Sequence, residues 1–141
     1  MTILLVDDDP GTLNALKIGL ISHGFNVVAA GSGADALEII RESAARNVPV
    51  RLLISDFRMP GMDGLQLIRA AKAMVPDLAT VLITGYGSEG LREDTEWAGV
   101  SGYLEKPFTP DVLIREIEAL RENGSGGVLI GSEERACARR K

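Results

Sequence analysis

Short apolar runs alternate with stretches of helical periodicity along the first 122 residues of the chain. The apolar runs predict five strands, at 3–6, 26–29, 51–55, 80–83 and 101–104. After each run, apolar residues recur at every third or fourth position, as they do on the buried face of an amphipathic helix. The pattern therefore predicts five consecutive strand–helix units.

Capping residues mark the starts of the predicted helices. Asp9-Pro10 and Thr109-Pro110 each combine an N-cap with proline at the first helical position. Ser32 and Asp63 are expected to cap the second and third helices, and the pair Asp63-Gly64 is also typical of a turn. The fourth helix, 88–98, has the weakest signal. The residues expected to face the core are Leu13, Leu16 and Leu20; Leu37, Ile40 and Ala44; Leu65, Ile68, Ala71 and Val75; and Leu113, Ile117 and Leu120.

The alternation of strands and helices predicts parallel pairing through right-handed crossovers. Ile3–Val6 and Leu52–Ile54 are continuously apolar, which is typical of strands covered on both faces. We therefore expect a doubly wound α/β fold with three layers, in which sites lie outside the carboxyl ends of the strands. The order of the strands does not follow from the pattern.

Composition narrows the class of protein. The 141 residues fit one domain, and a net charge of −5 with a pI near 4.9 gives no reason to expect nucleic-acid binding. No apolar run approaches the roughly 20 residues of a membrane span. The single cysteine, Cys137, excludes an internal disulfide, and no secretion signal is recognisable at the start. These features favour a cytoplasmic protein.

The sequence changes character after Asn123. Gly124–Gly127 is typical of a flexible linker, and the end of the chain is short, polar and charged. We expect a folded domain over 1–122 and a flexible tail over 123–141, because so short a polar segment cannot bury enough surface to become ordered.

Reactive side chains follow four of the predicted strands. They are Asp7-Asp8-Asp9, Asp56, Thr84 and Lys106. Each has an ordinary explanation when taken alone, as a cap, a strand end or a surface charge, and Asp9 is assigned to capping because Pro10 follows it. Their common placement is not explained in that way, since parallel strands bring their carboxyl ends to one edge of a sheet.

The residue types at this edge suit a divalent cation and a phosphoryl group. Asp7, Asp8 and Asp56 would repel one another when brought close, and a cation such as Mg²⁺ relieves that repulsion. An aspartate can act as a nucleophile and form an aspartyl phosphate. Lys106 and Thr84 can then neutralise or donate to the phosphoryl oxygens.

With these motifs, the chain resembles the receiver domain of bacterial two-component response regulators. The resemblance covers residues 2 to 122 and is specific because four motifs occur in the right order and spacing. The motifs are Val6-Asp7-Asp8-Asp9, the run Asp56-Phe57-Arg58-Met59-Pro60-Gly61-Met62-Asp63-Gly64, Thr84-Gly85-Tyr86-Gly87, and Tyr103-Leu104-Glu105-Lys106-Pro107-Phe108.

The resemblance implies a flavodoxin-like five-stranded parallel sheet with strand order 2-1-3-4-5. It also implies a role for each matching position. Asp56 would accept phosphate from a sensor histidine kinase or a phosphotransfer protein. Mg²⁺ would be held by Asp7, Asp8, Asp56 and the Arg58 carbonyl. Lys106 and Thr84 would contact the phosphoryl oxygens, and Tyr103 would be an aromatic switch that follows Thr84. The Lys106–Pro107 bond would be cis.

On this reading the chain is a signalling domain that catalyses only its own phosphorylation and dephosphorylation. Phosphorylation would change the surface formed by the fourth helix, fifth strand and fifth helix, which would control a partner or an output domain, or form a homodimer. Two possibilities stay open, a stand-alone receiver and a domain of a longer regulator.

Three alternatives belong to other classes. A small Mg²⁺-dependent phosphatase with an aspartyl nucleophile would need a carboxylate two residues after it, where Arg58 stands. A carrier of flavin mononucleotide would need a phosphate-binding loop after the first strand, where three aspartates stand instead. A scaffold that works unphosphorylated would not need an intact set of site residues.

Overall fold

The computed structural model describes residues 2–47, 49–85, 100–106 and 108–122. The predicted helix over 88–98, the bond to Pro107, the Tyr103 side chain and the tail over 123–141 lie outside that description. The strands are β1 (Thr2–Val6), β2 (Asn26–Ala30), β3 (Leu52–Asp56), β4 (Ala79–Thr84) and β5 (Gly102–Glu105). The helices are α1 (Pro10–Ser22), α2 (Gly33–Ala45), α3 (Gly64–Met74) and α4 (Pro110–Glu122), the last being the helix predicted as fifth.

The five strands form one parallel sheet in the order β2-β1-β3-β4-β5. The predicted fold class and strand order are therefore confirmed. The chain winds outward in opposite directions from β1 and β3, so the switch point of the sheet lies between these two strands. Their register sets Val6 opposite Ser55, which brings the residues that follow β1 beside the end of β3.

Two apolar clusters cover the two faces of the sheet. Successive strand residues point to opposite faces, so Leu4 and Val6 join the cluster under α2 and α3, whereas Ile3 and Leu5 join the one under α1 and α4. Both faces are thus buried, which explains the continuously apolar runs of β1 and β3.

Most residues expected to face the core do so. Leu16, Leu20, Ile40, Leu65, Ile68, Ala71, Leu113, Ile117 and Leu120 are buried, and Leu13, Leu37 and Val75 are partly buried. The expectation for Ala44 is wrong, because it is exposed. The buried stripe of α2 consists of Gly33, Ala36 and Ile40, and it stops before the last turn of the helix.

The predicted caps at Asp9, Ser32 and Asp63 are confirmed. The side chain of Asp9 accepts a hydrogen bond from Thr12 N at 3.2 Å, and Ser32 Oγ accepts one from Asp35 N at 3.1 Å. Asp63 and Gln66 form a reciprocal capping box, with both bonds 2.9 Å long. No helix in the described part of the chain has the length and apolar character needed to cross a membrane.

Candidate functional site

Three carboxylates meet where the sheet changes winding direction. One oxygen each from Asp7, Asp8 and Asp56 lies within 4.8 Å of the others. Asp7 and Asp56 are only 3% and 6% exposed, whereas Asp8 is open to solvent. The parallel pairing of β1 with β3 produces this approach, because Asp7 follows the last residue of β1 and Asp56 ends β3. The predicted convergence of these three residues is therefore present.

A lysine reaches this cluster from the end of β5. Lys106 Nζ lies 3.0 Å from Asp56 Oδ1, and the lysine backbone N–H donates to Thr84 O at 2.8 Å. The backbone bond holds the residue after β5 against the end of β4, and the long side chain then reaches β3. The ion pair thus holds the ammonium group, and the backbone hydrogen bond holds the residue that carries it.

Thr84 lies at the same edge but its hydroxyl points toward the neighbouring strand. The residue is 3% exposed, and its Oγ1 donates to Leu104 O at 3.5 Å. Tyr103 precedes Leu104 in β5 and pairs through its backbone with Leu82. In this structure Thr84 therefore contacts the backbone that carries the predicted switch residue.

The loop after Asp56 is fastened at both ends. Phe57 N donates to Ile83 O at 2.7 Å, and Gly64 N donates to Phe57 O at 2.8 Å. A β-carbon built on Gly64 would lie 2.5 Å from Asp56 O and 2.9 Å from Phe57 Cα. Since real β-carbons do not approach backbone so closely, only glycine allows α3 to begin directly against the backbone of Asp56.

Arg58 lies on this loop with an exposed side chain. Its guanidinium carbon is 5.8 Å from the centroid of the Phe57 ring, which is a cation–π distance. The predicted ligand is the backbone carbonyl of Arg58, and that role stays a prediction.

The sequence analysis did not predict the structural roles of two residues that shape the site. Ser55 is fully buried and its Oγ donates to Asp56 O at 2.9 Å, so it fixes the carbonyl of that aspartate. Gly64 is the second. A hydroxyl inside an otherwise apolar strand, and a glycine directly after a capping aspartate, are the signals that could have indicated them.

Charge in the site is only partly balanced. Burial raises the pKa of Asp56 above its ordinary value, and the Asp8 carboxylate adds to the rise, although the Lys106 ammonium pulls it down. Burial also raises the pKa of Asp7, with a further contribution from the Asp56 charge. Burial lowers the pKa of Lys106, but the Asp56 and Asp7 carboxylates outweigh it and the net shift is upward.

An isolated ion pair would lower the pKa of its acid, so the upward shift at Asp56 needs an explanation. Asp56 is the more deeply buried partner, since its side chain is 9% exposed and that of Lys106 is 38% exposed. Among the described residues, these three carboxylates also share one ammonium group, that of Lys106. We conclude that the cluster as a whole carries more negative charge than its surroundings stabilise.

The donor set fits a divalent cation. Asp7 Oδ1 accepts a hydrogen bond from Asp9 N at 2.9 Å, but Asp7 Oδ2 is buried and has no hydrogen-bond partner within the described ranges. A buried oxygen without a partner is costly. A hard cation such as Mg²⁺ would satisfy that oxygen, would offset the excess charge, and needs only one or two carboxylates beside water and phosphate oxygens.

Comparisons with known proteins agree with this geometry. Residues 3–118 match the family model described as the response regulator receiver domain. The chain is 37% identical over 123 residues to the transcriptional regulatory protein GlrR of Escherichia coli strain K12, covering 87% of this chain but 27% of GlrR. It therefore spans about a quarter of the length of that relative.

A second relative is similar over nearly its full length. The response regulator receiver protein CpdR of Brucella abortus is 36% identical over 118 residues, which cover 84% of this chain and 94% of CpdR. Among solved structures, the response regulator protein TrrA from Thermotoga maritima in complex with Mg²⁺-BeF superposes with a TM-score of 0.72. That match has 28% sequence identity and covers 84% of this chain and 97% of TrrA.

Proposed function

The chain belongs to the response regulator receiver family of two-component systems, and from this premise we propose that it accepts a phosphoryl group on Asp56 in a Mg²⁺-dependent reaction. The donor would be a sensor histidine kinase or a phosphotransfer protein. The observation that carries the proposal is the position of Asp56 within 3.0 Å of Lys106 and inside the three-carboxylate cluster.

We assign different tasks to the two carboxylate oxygens of Asp56 on the basis of its contact with Lys106. Oδ1 is held by Lys106, so the second oxygen is the one that would attack phosphorus while the bond between phosphorus and the donor nitrogen breaks. Asp7 and Asp8, together with Asp56 itself and the Arg58 carbonyl, would hold the metal. Mg²⁺, when bound, neutralises charge on the phosphoryl oxygens, and Lys106 adds a second cation there.

The response would begin at Thr84. A phosphoryl oxygen is a stronger acceptor than the Leu104 carbonyl, whose bond to the Thr84 hydroxyl is long at 3.5 Å. Movement of the hydroxyl toward the phosphoryl group would release the backbone next to Tyr103. The change would then reach the surface formed by the segment 88–98, β5 and α4, and would control a partner, an output domain or a homodimer.

We also propose that the receiver occupies residues 1–122 and that 123–141 form a flexible tail.

TrrA is described in complex with Mg²⁺-BeF, and this supports Mg²⁺ as the metal. GlrR is a transcriptional regulator much longer than this chain, whereas CpdR is about the same length. Both kinds of output, a partner protein and an attached domain, are therefore compatible with the proposal.

The phosphatase alternative is weaker than the receiver function. Its general acid would have to be a carboxylic acid two residues after Asp56, and Arg58 stands at that position instead. Asp63, the next carboxylate along the loop, is engaged in the capping box with Gln66. Neither residue places a carboxyl group at the position where the general acid is needed.

Intact-mass measurement tests the proposed phosphorylation. Acetyl phosphate or phosphoramidate with Mg²⁺ should add one phosphoryl group to the protein and none to Asp56→Asn, because the amide cannot act as the nucleophile. Asp63→Asn is the matched control, since asparagine is an equally good N-cap, and it should keep the adduct. An undiminished adduct in Asp56→Asn would overturn the assignment.

A further inference from the structure

The segment from the end of β2 to the start of α2 contacts both chain segments that carry the proposed metal ligands. On one side, Asp7 N donates to Ala30 O, at the end of β2, at 3.2 Å. On the other side, a β-carbon built on Gly33 would lie 2.8 Å from Met62 Sδ and 3.1 Å from both Met62 Cβ and Cγ. The Met62 side chain therefore lies in a space that exists because residue 33 has no side chain.

The Met62 contact supports the middle of the loop after Asp56. Backbone hydrogen bonds from Phe57 and Gly64 fasten the two ends of that loop. Between them, Gly61 has a φ of +79° and is exposed, which allows the chain to reverse but does not hold it. Met59 anchors the loop in the core under α2 and α3, and the partly buried Met62 packs against the same cluster.

We propose that Gly33 and Met62 are positioning residues for the divalent-cation site. Contact between them fixes the loop, and with it the backbone of Arg58, relative to Asp7 and Asp8. This inference rests on the proposed function, because it concerns how the same Mg²⁺ site keeps its geometry.

The requirement follows from the ligands that Mg²⁺ accepts. Mg²⁺ demands near-ideal octahedral geometry, so ligands supplied by separate segments must be held in register. A β-carbon at Gly33 would displace Met62 by a few tenths of an ångström or more, because one of the atoms it meets is Met62 Cβ, which is attached directly to the loop backbone. Removing residues that orient metal ligands typically lowers affinity about 10- to 100-fold.

Calorimetric titration with Mg²⁺ alone tests the inference in the unphosphorylated full chain. Gly33→Ala should bind Mg²⁺ about tenfold more weakly than the parent, at the lower end of that range because the loop ends stay fastened. Gly31→Ala is the matched control. It makes the same change two residues away, where a β-carbon would meet no atom within 4 Å, and it should bind like the parent.

Met62→Ala provides an independent variant. It removes Sδ and Cγ, two of the three atoms that a β-carbon at Gly33 would meet. Alone it should weaken Mg²⁺ binding by loosening the loop, whereas in the Gly33→Ala background it should recover part of the lost affinity. Such non-additivity is expected only of residues in contact.

Unfolding by urea in the presence of a chelator separates positioning from a merely structural role. If Gly33→Ala lowers the free energy of unfolding but leaves Mg²⁺ affinity at the parent value, the inference is wrong. Strictly additive losses of Mg²⁺ affinity in the double variant of Gly33→Ala with Met62→Ala would also overturn it. A parent protein that binds no Mg²⁺ would instead contradict the proposed function, so the two failures are distinguishable.

Discussion

Asp7 shows how a single buried residue can be unfavourable for the fold and useful for the site. Its Oδ1 has a backbone donor in Asp9, but its Oδ2 is buried without a partner within the described part of the chain. Burial raises the pKa of this carboxyl. A carboxyl with a raised pKa stabilises the fold below its unfolded-state pKa, and that stability is lost as pH rises through the folded-state value. At neutral pH the ionised Asp7 therefore opposes folding unless a cation is bound.

This reasoning predicts that Asp7→Asn makes the metal-free protein more stable at pH 7. The amide removes the charge, can still accept from Asp9 N, and replaces the orphaned oxygen with a donor that faces carboxylates. Urea unfolding in a chelator should show a higher free energy of unfolding for Asp7→Asn than for the parent.

In the presence of Mg²⁺, the parent should have a higher free energy of unfolding than Asp7→Asn. A ligand at 100 times its dissociation constant stabilises the folded state by about 2.7 kcal/mol, and only the parent should gain close to that amount. Equal stability of parent and variant in chelator, together with an equal gain from Mg²⁺, would contradict the account of Asp7.

At the scale of elements, the start of α3 determines where the Asp56 backbone lies. Gly64 is the first residue of α3, and a β-carbon there would meet Asp56 O at 2.5 Å and Leu82 Cδ1 at 2.7 Å. Backbone cannot yield as a side-chain terminus can, so Gly64→Ala should push the helix away from β3. We expect a loss of about 1–3 kcal/mol in the free energy of unfolding, measured by urea unfolding.

Helix propensity alone would predict that this substitution raises the free energy of unfolding. Alanine favours a helix over glycine by about 1 kcal/mol, so Gly64→Ala would stabilise α3 if the position were open. Gly11→Ala is the control for this effect, because Gly11 lies in the first turn of α1 and a β-carbon there would meet only Asp9 Oδ2 at 4.0 Å. A stability gain at both positions would refute the close-approach argument.

The elements themselves follow from the sequence more fully than their contacts do. Proline after Asp9, and the pair Asp63-Gly64, indicate helix starts through local chemistry, and both caps are present. The exposure of Ala44 was missed because periodicity identifies a helical stripe but not how far along the helix the sheet continues to cover it. The roles of Gly33 and Gly64 depend on neighbours distant in sequence, Met62 for Gly33 and Leu82 for Gly64, which local patterns do not specify.

For the whole molecule, the carboxyl edge of the sheet joins residues from four strands into one site. The four reactive positions could be predicted from the sequence because parallel strands share this edge, whereas the adjacency of β1 and β3 came from resemblance to a family. The ion pair between Lys106 and Asp56 spans from β5 across β4 to β3. A change at Asp56 therefore has a direct physical connection to the end of β5 through Lys106, whose backbone N–H is bonded in turn to Thr84 O.

That connection predicts that Thr84→Ala accepts phosphate but transmits less of the response. The hydroxyl does not contact Asp56 in this structure and instead donates to Leu104 O at 3.5 Å, so its loss should spare the nucleophile. The variant lacks the hydroxyl that would leave the Leu104 carbonyl and bond to a phosphoryl oxygen instead. Phosphorylation can shift the conformational equilibrium only through contacts that differ between the two states, and this contact would be lost. Amide exchange over residues 86–108, with and without phosphodonor, should change strongly in the parent and weakly in Thr84→Ala, at equal phosphorylation by intact mass. Thr84→Ser keeps the hydroxyl and should restore the change, whereas a parent-like change in Thr84→Ala would show that the signal leaves Asp56 by another path.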